Sequence, residues 1–206
     1  MGERLDKTIA IGLLMTVVFT ALAHGTVEAW SRAVFELLVT LLALLWAFKW
    51  IADGKLKIKI PMLALPLAAL LAIGVAQSVS LGGPDTPVLS LSMDVEATRA
   101  AVTVLFFLAV SFLIAVNFFD GRDRLRTLVR FLVVYGLVLA VFALIQHFTW
   151  DGRFYWFRST QHYSVFGPFV NRNHYAGHMA MLIPVPVGLI LNRGRERFQP
   201  SPEELG

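Results

Sequence analysis

The chain has 206 residues, of which 57% are hydrophobic and 16% are charged, and its formal net charge is +4. Soluble domains carry about 25% charged residues and about 45–50% apolar residues, so the composition excludes an ordinary soluble domain. The small net charge does not favour nucleic-acid binding, and the lack of cysteine excludes disulfides and thiolate metal sites. Because the apolar residues form long blocks, the sequence predicts an all-α, polytopic membrane helix bundle.

About six apolar blocks follow one another along the chain. They predict a transmembrane helix bundle over residues 1–192, an outer loop at 149–174 and a mobile cytoplasmic tail at 193–206. The predicted spans are 8–23, 33–52, 60–80, 99–119, 127–148 and 175–192. A signal peptide is an alternative for the first span, because Arg4 and Lys7 precede it and Ala21-Leu22-Ala23 ends it. The further spans favour an uncleaved helix.

The distribution of basic residues predicts that both termini lie in the cytoplasm. Thirteen of the 18 basic residues fall in segments that this orientation puts inside. They are Arg4, Lys7, Lys49, Lys55, Lys57, Lys59, Arg122, Arg124, Arg126, Arg130, Arg193, Arg195 and Arg197. The outside segments hold only Arg32, Arg99, Arg153, Arg158 and Arg172. The positive-inside rule is satisfied at every loop.

Two local signals refine the helices. Acidic residues favour a helix N-terminus, so Asp94 to Thr98 are expected to start the fourth helix. Pro184 and Pro186 remove two backbone donors from the sixth span and predict a kink there.

Polar side chains gather in the outer part of the predicted membrane region. They are His24, Glu36, Gln77, Gln146, His147, His174 and His178, and Asn117 near the inner end is the main exception. Polar groups are costly in hydrocarbon and usually face a bundle interior or a wet cavity. Their one-sided distribution predicts a cavity open to the outer face.

Two of these features have alternative interpretations. Glu36, the only carboxylate well inside a span, is either a proton acceptor or partner for a basic group, or an i,i+4 partner of Arg32. The outer loop from Trp150 to Arg158 mixes basic and aromatic residues. Arg153 and Arg158 beside aromatic rings could stack sugars and grip phosphate, or the segment could form an interfacial helix.

The densest polar stretch runs from Phe166 to His178. Asn173 could simply cap the sixth helix. Capping does not explain why Arg172 lies between two asparagines. The planar guanidinium group of Arg172 carries several donors, which suit a phosphate or diphosphate at a helix N-terminus. His174 and His178 share a helix face, but no H-E-x-x-H pattern or third ligand accompanies them, so no metal site is expected. These residues predict an outward-facing site for an anionic lipid headgroup.

The run Phe169-Val-Asn-Arg-Asn-His-Tyr-Ala-Gly177 resembles the Phe-x-Asn-x-Asn-His-aromatic-Ala-Gly segment of the bacterial O-antigen ligase and polymerase family. The resemblance implies a multi-pass glycosyltransferase of the bacterial inner membrane that acts in lipopolysaccharide biosynthesis. Such enzymes move a glycan from undecaprenyl diphosphate to a hydroxyl of lipid A–core, another glycan or a protein at the periplasmic face. They are expected to need no cofactor and no metal.

The resemblance also implies roles for the motif. Arg172 would stabilise the leaving diphosphate, His174 would orient the sugar or diphosphate, and Asn171 and Asn173 would hold the loop or hydrogen-bond the glycan. Independently of the resemblance, the outer polar cluster adds Glu36 and His178 to the expected substrate-binding residues, and the aromatic loop adds Arg153 and Arg158.

Family members continue into further spans and a large periplasmic loop that carries the expected general base. The chain therefore resembles the N-terminal membrane half of such an enzyme, a fragment that becomes catalytic when the C-terminal half completes it. The alternatives are a non-catalytic membrane scaffold, a small transporter or a truncated fragment inactive alone. A transporter would be expected to show internal repeats or paired broken helices, and neither stands out in the sequence.

Single cysteines test the orientation, because the chain has none of its own. With Asp85→Cys, a membrane-impermeant thiol reagent should label intact cells. With Asp123→Cys, labelling should require permeabilised cells. The opposite pattern would overturn the orientation.

Overall fold

The computed structural model describes residues 2–54, 58–81, 89–159 and 165–198, and most of these residues are helical. The helices are α1 (Gly2–Leu22), α2 (Ala29–Asp53), α3 (Ala64–Ser78), α4 (Val95–Phe118), α5 (Arg122–Phe148), α6 (Arg172–Leu182) and α7 (Pro184–Phe198). Two short antiparallel hairpins pair β1 (Ser80–Leu81) with β2 (Leu89–Ser90) and β3 (Arg153–Phe154) with β4 (Arg158–Ser159). Lys55, Lys57, Asp85 and the tail beyond residue 198 lie outside the described residues.

Five stretches within the described ranges are long and apolar enough to cross a membrane. They are α1, α2, α4, α5 and the Arg172–Asn192 stretch, which α6 and α7 form together. The sixth apolar helix, α3, has 15 residues. At about 1.5 Å per residue α3 is about 22 Å long, which is less than the hydrocarbon core of about 30 Å. The predicted all-α, polytopic membrane bundle is confirmed, and α3 is the apolar helix that is too short by itself to cross the hydrocarbon core.

The chain divides into two compact units. The first contains the chain up to Val17 and Ala29–Asp120, and the second contains Val18–Glu28 and the chain from Gly121 onward. Close helix contacts in the first unit form where glycine replaces a side chain. A Cβ on Gly12 would lie 2.6 Å from the Leu42 side chain, and one on Gly74 would lie 2.5 Å from Val102 Cγ2. These contacts join α1 to α2 and α3 to α4.

Asn117 has a structural role in the first unit. Its side chain accepts a hydrogen bond from the Lys59 backbone N at 2.8 Å and donates to the Lys59 backbone O at 3.0 Å. The Lys59 ammonium also pairs with Asp120. Non-helical backbone beside a membrane needs internal hydrogen-bond partners, and Asn117 supplies partners to both backbone groups of Lys59 in the non-helical segment before α3.

Arg99 and Asp94 mark the ends of neighbouring helices. The Arg99 guanidinium donates to the Ser78 carbonyl at the end of α3, at a distance of 3.2 Å. A positive charge is favourable there because the last carbonyls of a helix carry partial negative charge. Asp94 caps α4 by accepting from the Ala97 N at 2.9 Å, so the predicted helix start at Asp94 to Thr98 is confirmed.

The last helices differ from the predicted span. Helix α6 begins at Arg172 rather than at residue 175, and α7 continues to Phe198, so residues 193–198 of the expected tail are helical. Helices α6 and α7 meet at Ile183, whose backbone stays helical (φ −58°, ψ −40°) and whose N–H donates to the Met179 carbonyl. The kink predicted from Pro184 and Pro186 is therefore limited to the junction of the two helices.

Replacing Gly74 by Leu should destabilise the α3–α4 packing. The added side chain meets a β-branched neighbour at 2.5 Å, and overpacking of this kind costs about 1–3 kcal/mol. Thermal unfolding in detergent micelles measures the loss.

The matched control is Gly177→Leu, because no described atom beyond the chain neighbours and the backbone of its own helix lies within 4 Å of a Cβ built at Gly177. Equal unfolding temperatures for the two variants would contradict the close packing at Gly74.

Candidate functional site

The aromatic loop from Trp150 to Arg158 forms a β-hairpin in the second unit, and not the interfacial helix that was its alternative interpretation. Phe154 pairs with Arg158, and Arg153 pairs with Ser159. Asp151 precedes the hairpin and accepts a hydrogen bond from the Arg153 N at 2.9 Å. The hairpin places its two arginines at opposite ends of neighbouring strands.

The turn of this hairpin holds a strained backbone. Tyr155 and Trp156 have φ values of +53° and +64°, a left-handed region that residues with a Cβ rarely adopt. The Tyr155 hydroxyl donates to the Leu22 carbonyl at 2.6 Å, and Trp156 Nε1 donates to Thr149 Oγ1 at 2.9 Å. Burial raises the pKa of Tyr155, which keeps the phenol protonated as a donor. These bonds hold the turn in its strained form.

Packing uses most of the aromatic surface of the hairpin. The Phe154 side chain is 2% exposed and its ring lies 4.5 Å from the His24 ring. The Tyr155 ring lies 5.6 Å from that of Phe142. Phe157 is 77% exposed, and Arg153 is exposed too. The sugar-stacking surface expected from the sequence is thus reduced to Phe157, part of Trp156 and the neighbouring Arg153.

Arg158 joins the hairpin to the turn between α1 and α2. One guanidinium nitrogen donates to His24 Nε2 at 3.1 Å, and the other pairs with Glu28 Oε1. Both ends of the guanidinium fork are therefore occupied, although 45% of the side chain is exposed. Arg158 acts first as a link between two loops, and a phosphate would have to compete with Glu28 for it.

His24 is the buried partner in this contact. It is 8% exposed, and its backbone φ is +62° within the His24–Thr26 turn. Burial lowers the pKa of His24 below its ordinary value of 6.5, and the positive charge of Arg158 lowers it further. The backbone of Pro168 and the charge of Glu28 act in the opposite direction, although no described atom makes a well-formed hydrogen bond with Nδ1.

A tight turn precedes the polar motif. Phe166 and Phe169 exchange two backbone hydrogen bonds of 3.1 and 3.3 Å, with Gly167 at a φ of +56° between them. A Cβ on Gly167 would lie 2.9 Å from Ala143 Cβ, so this position requires glycine for both conformation and space. Phe169 is buried, and its ring lies 5.4 Å from the ring of His178.

Gln146, at the end of α5, links this turn to the hairpin. It is 2% exposed. With its amide oriented to satisfy both neighbours, the nitrogen donates to the Gly167 carbonyl at 2.7 Å and the oxygen accepts from the Tyr155 N at 3.0 Å. One buried side chain thus fixes the two loops at the same helix end.

Asn171, and not Asn173, caps α6. Its backbone is extended, and its side chain accepts from the Asn173 N at 2.9 Å. The cap lies two residues earlier than expected because the chain becomes helical at Arg172. Arg172, Asn173 and His174 consequently occupy the first helical turn.

The first turn of α6 carries side chains that the fold does not use. Arg172, Asn173 and His174 are exposed, and none of their side chains has a hydrogen-bond or ion-pair partner among the described residues. The free N–H groups and the dipole of a helix N-terminus favour an anion. Arg172 adds a positive charge at this position.

His178 lies one turn further and serves another purpose. It is half-buried, and its Nε2 lies 2.9 Å from the Tyr135 hydroxyl on α5. His174 is exposed and His178 is tied to α5, so the shared helix face does not give the two side chains a shared function.

Glu36 belongs to the first unit. It is half-buried on α2, and no ion pair within 4.0 Å joins it to Arg32 in the part of the chain that the structure describes. The expected i,i+4 pair is therefore not formed.

Sequence patterns do not indicate the partners of Arg158. From the sequence, His24 is only a polar residue at a span end, and Glu28 belongs to no motif. The adjacent His24 and Gly25 are a local turn signal, but the contact between His24 and Arg158 joins distant parts of the chain. Tyr135, the partner of His178, also belongs to no motif.

No family model, curated protein or solved structure matches this chain.

Replacing Gln146 by Leu should destabilise the second unit. The apolar side chain leaves the Gly167 carbonyl and the Tyr155 N–H without their buried partner, and each such loss costs about 1–3 kcal/mol. Denaturant or thermal unfolding in micelles should show the loss.

Gln77→Leu is the matched control, since Gln77 is exposed on α3. An equal effect of the two substitutions would contradict the linking role of Gln146.

Proposed function

We propose that the chain is the N-terminal membrane half of an O-antigen ligase-like glycosyltransferase. It would act at the periplasmic face of the bacterial inner membrane and bind the diphosphate of an undecaprenyl diphosphate-linked glycan. The observation that carries the proposal is the exposed first turn of α6, where Arg172, Asn173 and His174 stand at a capped helix N-terminus.

The chemistry of glycan transfer matches these groups. An acceptor hydroxyl forms a new bond to the anomeric carbon, and the bond from that carbon to the diphosphate breaks. The diphosphate leaves with additional negative charge, and fixed donors that meet developing charge lower the barrier. Arg172 can donate two parallel hydrogen bonds to a diphosphate. Asn173 and His174 add side-chain donors in the same turn.

Rigid support favours this assignment over a simple helix cap. Capping uses only Asn171. The preceding turn is fixed by Gln146 and by the buried Phe169, so the following helical turn starts from a defined position. A site that must hold a leaving group benefits from such support because reorganisation during reaction is costly.

The remaining expected residues have secondary roles in this proposal. Arg153 and Phe157 are exposed on the hairpin and can contact the glycan. His178 supports α6 through Tyr135. The acceptor, which could be lipid A–core, another glycan or a protein, would meet a general base outside the residues assigned here.

Arg172→Ala should weaken binding of undecaprenyl diphosphate. Loss of a hydrogen bond to a charged group costs about 1.5–3 kcal/mol, which corresponds to an affinity about 10- to 100-fold lower. Native mass spectrometry of the purified chain, titrated with undecaprenyl diphosphate, measures the change. In the full-length gene the same substitution should abolish glycan transfer without affecting membrane insertion.

Arg130→Ala is the matched control. Arg130 is exposed on α5, 18 residues before the end of the helix at Phe148, or about 27 Å along its axis. Equal binding by the Arg172→Ala variant and the wild type would refute the assignment. Binding of phosphatidylglycerol as tightly as of undecaprenyl diphosphate would favour a general anionic-lipid site in a non-catalytic scaffold.

A further inference from the structure

We propose that His24, Arg158 and Glu28 form a pH-sensitive latch, in which neutral His24 holds strand β4 on the His24–Thr26 turn and protonated His24 releases it. The latch consists of these three side chains, and all of them lie in the second unit. The inference does not rest on the proposed function, because it concerns only how the hairpin is held.

The geometry at His24 requires a neutral ring. Arg158 donates its hydrogen bond to Nε2 at 3.1 Å, so Nε2 must offer a lone pair and the proton of the neutral ring must be on Nδ1. Protonation would set an N–H against the guanidinium N–H, and it would bring two positive charges together. Because His24 is only 8% exposed, water reaches this pair mainly through the Arg158 side chain, which is 45% exposed, and it screens the repulsion only in part.

The other groups around His24 determine the effect of its protonation. Glu28, on the same loop, stabilises the protonated ring of His24. When His24 is protonated, Glu28 can pair with His24 in place of Arg158. Tyr155 and Phe154 face His24 from the hairpin at ring distances of 5.5 and 4.5 Å. Tyr155 stays neutral, and the Pro168 backbone supplies only a dipole. Among the described residues, Arg158 is therefore the charged group that protonation of His24 repels, and it is the group that holds β4.

The release is local because other contacts hold the first half of the hairpin. The Tyr155 N–H remains bonded to Gln146, and the Tyr155 hydroxyl remains bonded to Leu22. Strand β4 has the Arg158 contacts as its described side-chain links to the turn. Left-handed residues on both sides of the latch, among them His24 and Trp156, persist only while their surroundings hold them. Loss of the latch therefore favours relaxation of β4.

The direction of the pH effect follows from the lowered pKa of His24. The latched state binds fewer protons than the released state, so it gains stability as pH rises. The latch is fully closed above the ordinary pKa of 6.5 and opens as pH falls from 6.5 through the lowered value. Acidification of the side of the membrane that the hairpin faces would thus loosen β4.

A nitroxide label at Ser159→Cys reports the release, since Ser159 is exposed at the end of β4 and the chain has no native cysteine. The full chain in lipid nanodiscs is labelled at neutral pH and followed by continuous-wave electron paramagnetic resonance from about pH 8 to about pH 4.5, above most of the Glu titration. The immobile spectral component should be lost with a midpoint below 6.5. Unchanged mobility over this range would overturn the proposal.

Two variants in the labelled background identify the groups involved. His24→Asn keeps a residue that tolerates the left-handed backbone but cannot titrate, so the pH transition should disappear. Arg158→Lys keeps the charge but cannot bridge His24 and Glu28, so the label should be mobile already at about pH 8. A transition that survives His24→Asn, or an immobile label in Arg158→Lys at that pH, would overturn the latch.

His147→Asn is the matched control for histidine titration in general. The His147 ring packs against Phe166, 5.3 Å away, and takes no part in the Arg158 contact. The pH transition should persist in this variant. Its disappearance would show that His147, and not His24, drives the change.

Discussion

Non-helical backbone at the ends of membrane helices must find hydrogen-bond partners within the protein, because hydrocarbon offers none. In the first unit Asn117 binds both backbone groups of Lys59. In the second unit Gln146 binds Gly167 and Tyr155, and the Tyr155 hydroxyl binds the Leu22 carbonyl. The loops that carry the candidate site have defined positions because buried polar side chains satisfy their backbones.

This need for internal hydrogen-bond partners distinguishes the polar residues that support the fold from those that remain available to a ligand. Asn117, Gln146 and Asn171 are used for backbone hydrogen bonds, so their presence in an apolar chain needs no ligand. Arg172 and His174 are exposed and have no such duty among the described residues. The sequence predicted a site made of all the polar residues near one depth of the membrane. That candidate site is now reduced to the residues in the first turn of α6.

The sequence predicted the membrane helices well because blocks of apolar residues are a local signal. Asp94 was predictable for the same reason, since a cap acts on the next few residues. The hairpin was not predictable: its strands have two residues each, and its left-handed turn uses Tyr155 and Trp156 instead of the glycine or asparagine that usually marks such turns.

The side-chain contacts around the candidate site could not be predicted from the sequence, for a different reason. The contact of Arg158 with His24 and Glu28 joins segments far apart in the sequence, and no local pattern reports such a pairing. The cap of α6 was predicted two residues late because Asn171 and Asn173 are both good capping residues. Only the backbone conformation of Asn171, extended with φ −116°, decides between them.

The low hydropathy of the last apolar stretch has a consequence for how the protein is made. Arg172–Asn192 is the least apolar of the stretches that could cross the membrane, and α5, directly before it, is the most apolar. A polar helix enters a bilayer more readily when a partner already there covers its polar side chains. Tyr135 meets His178, and Leu182 packs on Gly136. We therefore expect helix α5 to serve as the insertion partner of the next stretch during synthesis.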